Sequence, residues 1–168
     1  LGRAFRLKGY QVYEGSRMAK GTNIVNLLQL QLEENVTSML RVPKDNAEGF
    51  VTMVTKNGLI KRSPLSAYKN MRRSGLIAIK LDEKDALAWC RITSGEDELL
   101  VATKSGRAIR IKETDARATG RASRGVRVMR LGNCDEIVGV SIVKAGATLM
   151  TGSAEGQGPL PPVDRAPA

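Results

Sequence analysis

Apolar positions in this chain come in short alternating runs broken by glycines and charged turns, with a period of two rather than 3.6. Phe5 and Leu7 fall on one face of the run from Arg3 to Lys8, and Arg6 and Lys8 fall on the other. Ile109 and Ile111 alternate with Arg110 and Lys112 in the same way. Such alternation predicts half-buried β-strands. Lys56-Asn57-Gly58 lies between Val54-Thr55 and Leu59-Ile60, and Asn-Gly between two apolar runs predicts a hairpin with a type I′ turn, positive φ at both central residues.

The hairpin recurs. Lys104-Ser105-Gly106 lies 48 residues after Lys56-Asn57-Gly58, and Gly2 opens a copy that lacks its first strand. A degraded fourth copy is expected from Leu149, with Gly156 50 residues beyond Gly106. Behind basic residues each copy places a second glycine, at Gly21, Gly75 and Gly125, and a strand is expected after each, reaching Leu27, Leu81 and Leu131. An acidic turn follows (Glu33-Glu34, Asp82-Glu83, Asp135-Glu136), then a closing apolar run over 36–42, 87–92 and 137–143. Trp89, in the second of these runs, reads as core. Four strands in every 40 to 50 residues is the signature of a propeller-like array of blades.

The expected fold class is therefore all-β, an incomplete set of about three to four four-stranded blades. The units run roughly over 1–48, 49–97 and 98–146, with the start of another at 147. An irregular or disordered tail is expected over 152–168, where Pro159, Pro161 and Pro162 have no N–H to give to a ladder.

Charge narrows the function. Lys and Arg number 27 against 17 Asp and Glu, a net +10, which suits a polyanionic partner. Histidine is absent, which removes His-based triads and most zinc sites, and no phosphate-binding loop motif is present. No catalytic or metal-ligating residue is expected. Cys90 and Cys134 form no C-x-x-C pair and read as reduced core thiols. No apolar run approaches the length of a membrane span, so a cytoplasmic protein without a membrane partner is expected. With six aromatic residues in total, stacking on single strands has little support, and a duplex backbone is the better target.

The candidate phosphate-binding residues follow from the repeat. Aligned on the turn glycine, Arg6, Arg62 and Arg110 share one position on an expected outward strand face, with Lys8, Lys61 and Lys112 beside them. Lys56, Lys104 and Arg107 flank the hairpin turns. The loops before the second glycine carry Arg17 and Lys20, Arg72 and Arg73, and Arg121 and Arg124, and Arg127 follows the last of them. A glycine beside arginines lets backbone approach a phosphate that guanidinium groups bind with two donors. Basic side chains also protect an edge strand from unwanted pairing, which is the purely structural alternative. Asn26, Lys80 and Arg130 are a further set in register.

Four segments carry a resemblance to a known family. Gly2-Arg3-Ala4-Phe5-Arg6-Leu7-Lys8, the run Arg17 to Leu28, the run Thr55 to Leu65, and Gly120-Arg121-Ala122-Ser123-Arg124-Gly125-Val126-Arg127 resemble the C-terminal domain of the bacterial DNA gyrase A protein, over residues 2 to about 151. The resemblance implies a β-pinwheel, a propeller-like disc whose blades exchange strands. It also implies that the basic rim binds and wraps duplex DNA without sequence preference, supporting negative supercoiling by an ATP-dependent holoenzyme, a type II topoisomerase formed with the rest of the gyrase A protein and with the gyrase B protein.

No cofactor is expected within these residues, since the resemblance assigns ATP and Mg to other parts of the holoenzyme. Tyr10, Tyr13 and Tyr68 inherit no catalytic role. The family's first-blade box, Q-R-R-G-G-R-G, is absent and would be expected before Leu1. The corresponding C-terminal domain of topoisomerase IV is the sister reading, and a propeller-type module for an acidic protein is the alternative from another class. An open blade edge also raises self-association.

Overall fold

The computed structural model describes residues 2–32, 34–42, 48–150 and 152. Among them the regular structure is strands and short 3-10 turns, with no α-helix. The tail beyond Gly152 and the fourth-copy glycine Gly156 lie outside the described residues.

Two hairpins form where the Gly58 and Gly106 signals stand. Strand β2 (Phe50–Thr55) pairs antiparallel with β3 (Leu59–Pro64), and β6 (Glu98–Thr103) pairs with β7 (Ala108–Lys112). Their turns are not type I′. Only the glycine takes positive φ, +79° at Gly58 and +81° at Gly106. The Gly58 N–H donates to Thr55 O at 3.1 Å, and the Gly106 N–H donates to Thr103 O at 3.0 Å. This is a longer loop in which a turn is followed by a left-handed glycine, a geometry that also keeps the strands twisted correctly. The threonine hydroxyl strengthens it: Thr55 Oγ1 accepts from Leu59 N at 3.2 Å and Thr103 Oγ1 from Arg107 N at 3.3 Å.

The closing apolar runs become β5 (Leu87–Thr93) and β9 (Ile137–Val143), which pair antiparallel on the free sides of β2 and β6. The fourth strand comes from elsewhere. β8 (Val126–Arg127) sets Arg127 opposite Leu59 and Val126 opposite Ile60, and so completes a sheet in the order β5-β2-β3-β8. β4 (Leu76–Ile77) pairs in the same register with β1 (Arg3–Ala4), Ile77 opposite Arg3 and Leu76 opposite Ala4. The residue after each short strand repeats the match: the Val128 N–H donates to Gly58 O and the Ala78 N–H to Gly2 O, both at 2.8 Å. Each repeat therefore gives its third strand to the hairpin of the repeat before it.

This exchange explains the second glycine. A Cβ on Gly125 would stand 2.6 Å from Ile60 O, and one on Gly75 would stand 2.7 Å from Phe5 Cε1. The glycine lets one strand pass close to the hairpin it joins. The expectation that it opens the backbone to a phosphate gives way to this steric reason.

The expected strands are short or missing. The runs after Gly75 and Gly125 are strands for two residues each. After Gly21 the chain forms a 3-10 turn at Ile24–Asn26 instead of a strand, and no strand forms among the described residues of 36–42. The run over 36–42 is the counterpart of β5 and β9, which pair with a first hairpin strand that the first copy lacks, and the run after Gly21 is the counterpart of β4 and β8, which pair with the hairpin of the repeat before. The third sheet, β7-β6-β9, has three strands, and β1 with β4 forms a sheet of two.

The core sits between the sheets in two clusters. Val51 and Met53 of β2 join Leu65, Tyr68, Ala78, Ile79 and Cys90; Val54 joins Ile60, Leu99, Val101, Ala116, Ile137 and Val140. β2 thus buries both faces, each fully buried aliphatic side chain contributing roughly 1.5–3 kcal/mol. Trp89 is half-buried against the second cluster, as its place in an apolar run suggests. The thiols differ from expectation: Cys90 is in the core, but Cys134 is exposed in a turn with φ +62°.

Candidate nucleic-acid interface

The three arginines in register do not form an outward stripe. Arg62 is 9% exposed, its guanidinium 4.5 Å over the Phe50 ring and its Nη1 donating to Gly95 O at 2.7 Å. Arg110 is half-buried and reaches across the hairpin to Glu98, its Nε 2.8 Å from Oε2. Arg6 is exposed, but its Nη1 donates to Lys69 O at 2.7 Å. Each spends its donors on the fold. The alternation that predicted an outward face assumed that one side of the strand meets water, whereas β3 is covered on both sides.

Lys61 is the largest departure. Only 1% exposed, it donates from Nζ to Ala78 O at 2.5 Å and to Arg121 O. Burial lowers its pKa from the usual 10.5 to about 8. Neither Lys61 nor Arg62 can reach a phosphate from these positions, so both leave the candidate set.

The loops before the second glycine are different. Arg72 and Arg73 are exposed in a turn closed by the Gly75 N–H on Arg72 O at 3.0 Å. Arg121 and Arg124 are exposed on a loop held against the preceding hairpin strand: the Thr119 N–H donates to Arg62 O at 2.9 Å and the Lys80 N–H to Ser123 O at 3.2 Å. Ser123 Oγ ties the loop to itself through Thr119 Oγ1 at 2.9 Å and Gly120 O at 2.8 Å. Arg124 also pairs with Asp82, an exposed contact that competes weakly with a phosphate. Arg17, Lys20, Lys8, Lys112 and Arg127 are exposed as well, with Lys8 5.6 Å over the Tyr10 ring.

The hairpin cations are exposed but neighbour carboxylates. Lys56 Nζ lies 3.1 Å and Lys104 Nζ 3.9 Å from Glu136, and Arg107 Nη2 lies 3.5 Å from Asp135. Asp135 also accepts from Ser105 N at 3.0 Å and Ser105 Oγ at 2.7 Å, and those bonds hold its carboxyl down at about 2. In the repeat before, Asp85 makes the matching backbone bond, accepting from Asn57 N at 3.0 Å. The acidic turn of the sequence is therefore a brace under each hairpin, with Asp85 rather than Asp82 or Glu83 carrying it. Glu34 stands at the matching place, two residues before the closing run, and pairs with Arg3 at 2.9 Å.

With this geometry in place, the comparisons decide the family. The family model for the DNA gyrase C-terminal domain, beta-propeller, matches residues 1–43, 50–94 and 97–144. The chain belongs to the DNA gyrase C-terminal domain family. A DNA gyrase A protein from Clostridium acetobutylicum is 46% identical over 126 residues, which cover 75% of this chain and 15% of that protein. A solved DNA gyrase A C-terminal domain matches with a TM-score of 0.82 at 25% identity, over 99% of this chain and 53% of that one. A solved C-terminal domain of DNA topoisomerase IV matches at 0.79 and 25% identity, over 86% of this chain and 45% of that one. The fold is the all-β pinwheel of this family, and the chain spans a small part of the gyrase A length.

Within the gyrase C-terminal fold, the exposed cations sort into loop residues and strand residues. Lys80 and Arg130 are exposed and belong with the loop set, Lys80 by its backbone bond to Ser123. Their register gave the signal, but they follow the second glycine and were not grouped with the loops. Among the described residues no group of three or more His, Cys, Asp or Glu could hold a metal, and no helix is long and apolar enough to cross a membrane.

Proposed function

We propose that this chain binds duplex DNA without sequence preference through its exposed basic loops and bends or wraps it, as part of a gyrase A protein. The observation that carries the proposal is the division of the cations: Arg72, Arg73, Arg121 and Arg124 stand exposed on loops that lie outside the sheets, while Arg62 and Arg110 on the hairpin strands are used to hold those sheets together. Guanidinium groups on several repeats can meet successive phosphates along a curved duplex. Bending 20–30 base pairs costs roughly 1–6 kcal/mol, which such contacts offset. Phosphate contacts carry no base code.

In the holoenzyme this domain supports negative supercoiling in the cytoplasm, beside the rest of the gyrase A protein and the gyrase B protein. Strand passage, ATP and Mg belong to those parts, so the domain positions DNA and performs no bond chemistry of its own. Sequence relatives named as gyrase A proteins favour gyrase, while the solved gyrase A and topoisomerase IV domains match at the same 25% identity and do not separate the two. The outer edge of β7 has no strand against it among the described residues, so a further repeat or a second copy can add one there.

The test is a gel shift on linear and minicircular duplexes over a range of salt. With about two or three phosphate contacts on each of three repeats, the slope of log affinity against log salt is roughly −5 to −8, and minicircles bind more tightly than linear duplex. A slope near zero, or displacement of DNA by nothing but an acidic protein, overturns the reading in favour of a protein-interaction module.

A further inference from the structure

We propose that Lys61 is a positioning residue for DNA binding: a buried ammonium on β3 that draws the Arg121 carbonyl inward and so presents the Gly120–Arg124 loop to a phosphate backbone. The proposal rests on the DNA-binding reading above and adds how one of its loops is set. Lys61 Nζ lies between two carbonyls of different repeats, Ala78 O at 2.5 Å and Arg121 O. One carbonyl belongs to its own repeat, just past β4, and the other to the basic loop of the next. A carbonyl oxygen carries partial negative charge. Turned inward onto an ammonium, it no longer faces an incoming phosphate.

The same device appears one repeat earlier with different residues. Arg3 and Arg6, on and just after β1, donate to Ser74 O and Lys69 O, both in the stretch that carries Arg72 and Arg73. In both places a cation of one hairpin strand holds the backbone of the following basic loop. The middle repeat does this from inside the core, with a lysine at the position where the first has Phe5 and the third has Ile109. An apolar residue would suffice for packing there, and a lysine carries the cost of burying a charge.

Burial also makes the pin titratable. The ionisable residues on the elements packed around it are Arg62 on its own strand, Arg121 on the loop, Tyr68 on the 3-10 turn and Cys90 on β5. Burial alone accounts for the shift to about 8, with no neighbouring charge contributing. Above that value the amine is neutral but keeps N–H donors for both carbonyls, so the pin holds on either side of its titration.

Two measurements on the full chain test this, with Lys61→Ile and Lys61→Arg. In the absence of DNA, amide hydrogen exchange over 119–124, corrected for its intrinsic pH dependence, is expected to rise about tenfold in Lys61→Ile at pH 7. It stays slow in the native chain and in Lys61→Arg from pH 7 to 9.5. In gel shifts at pH 7, the salt slope of Lys61→Ile is expected to be shallower by about 1 to 2, while the native chain and Lys61→Arg hold the steeper one. Equal exchange in all three proteins across this range overturns the pin, whatever the DNA result. A native slope near zero with the exchange pattern as stated fails the DNA reading and leaves Lys61 only a structural role, which also overturns the positioning proposal.

Discussion

Strands β3 and β7 are the same element in two successive repeats, yet their surroundings differ. β3 is buried along its middle, with Ile60, Lys61 and Ser63 at 2%, 1% and 0% exposure, whereas every residue of β7 is half-buried or exposed. The hairpins match in register, in turn geometry and in the carboxylate brace beneath them. What differs is the neighbour. β3 receives β8 and the 118–124 loop from the following repeat, and β7 has no strand on its outer edge among the described residues. Burial in this fold is delivered from the next repeat along the chain, so identical positions acquire different chemistry: Arg62 becomes a packed, stacked guanidinium, while Arg110 stays half-exposed against Glu98.

The sharpest way to break that difference is at the exchange itself. Gly125→Ala puts a methyl 2.6 Å from Ile60 O and is expected to cost about 2–3 kcal/mol in urea unfolding, with β3 amides losing protection. Gly120→Ala, where a Cβ meets nothing within 4 Å and the backbone is not left-handed, is the matched control and should change stability by less than about 0.5 kcal/mol. Equal effects would mean that the strand exchange contributes little.

A smaller effect separates the repeats by pH. Lys61 has a folded pKa near 8, below its unfolded value, so between the two the unfolded chain binds more protons and stability rises with pH. From pH 8 to 9 the gain is about 1 kcal/mol, and Lys61→Ile should abolish it. Above pH 9 the trend is opposed by Cys90, whose pKa is raised by burial to about 11, because there the folded chain holds the extra proton. Ile109 at the matching place in β7 contributes nothing to either limb.

The smallest effect lies in acid. Asp135 is held at about 2 by its bonds to Ser105, below its unfolded value, so the stability that it adds is present above pH 4 and is lost as pH falls toward 2. The Ser105 amide should exchange faster across that interval, and Asp135→Asn should flatten the change. Exchange of the Asn57 amide over Asp85 is the internal comparison.

Much of the fold was legible because its signals are local. Gly58 and Gly106 mark real hairpins, alternation found β7, and apolar runs found β5, β6 and β9. The turn type was missed because Asn57 keeps negative φ and only the glycine turns left-handed. The side-chain directions in β3 were misread for a different reason. A period of two shows that successive residues face opposite ways, but not that one face meets solvent, and β3 has repeats packed on both. For the same reason the second glycines looked like phosphate contacts: the hairpin that they pass belongs to the preceding repeat, about 65 to 70 residues away, and no local pattern reveals it. The loop arginines are exposed, as the proposal needs, because loops lie outside the ladder whichever strands it joins.

The proposed division has the loop arginines meeting DNA while Arg62 and Arg110 hold the sheets. That division is tested most directly by comparing the salt slopes of Arg121→Ala/Arg124→Ala and Arg110→Ala on two unrelated duplexes of equal length. A slope shallower by about 2 is expected for the loop pair, the same on both duplexes, with an unchanged slope for Arg110→Ala. An unchanged slope for the loop pair, a loss confined to one sequence, or a larger loss from Arg110→Ala would contradict it.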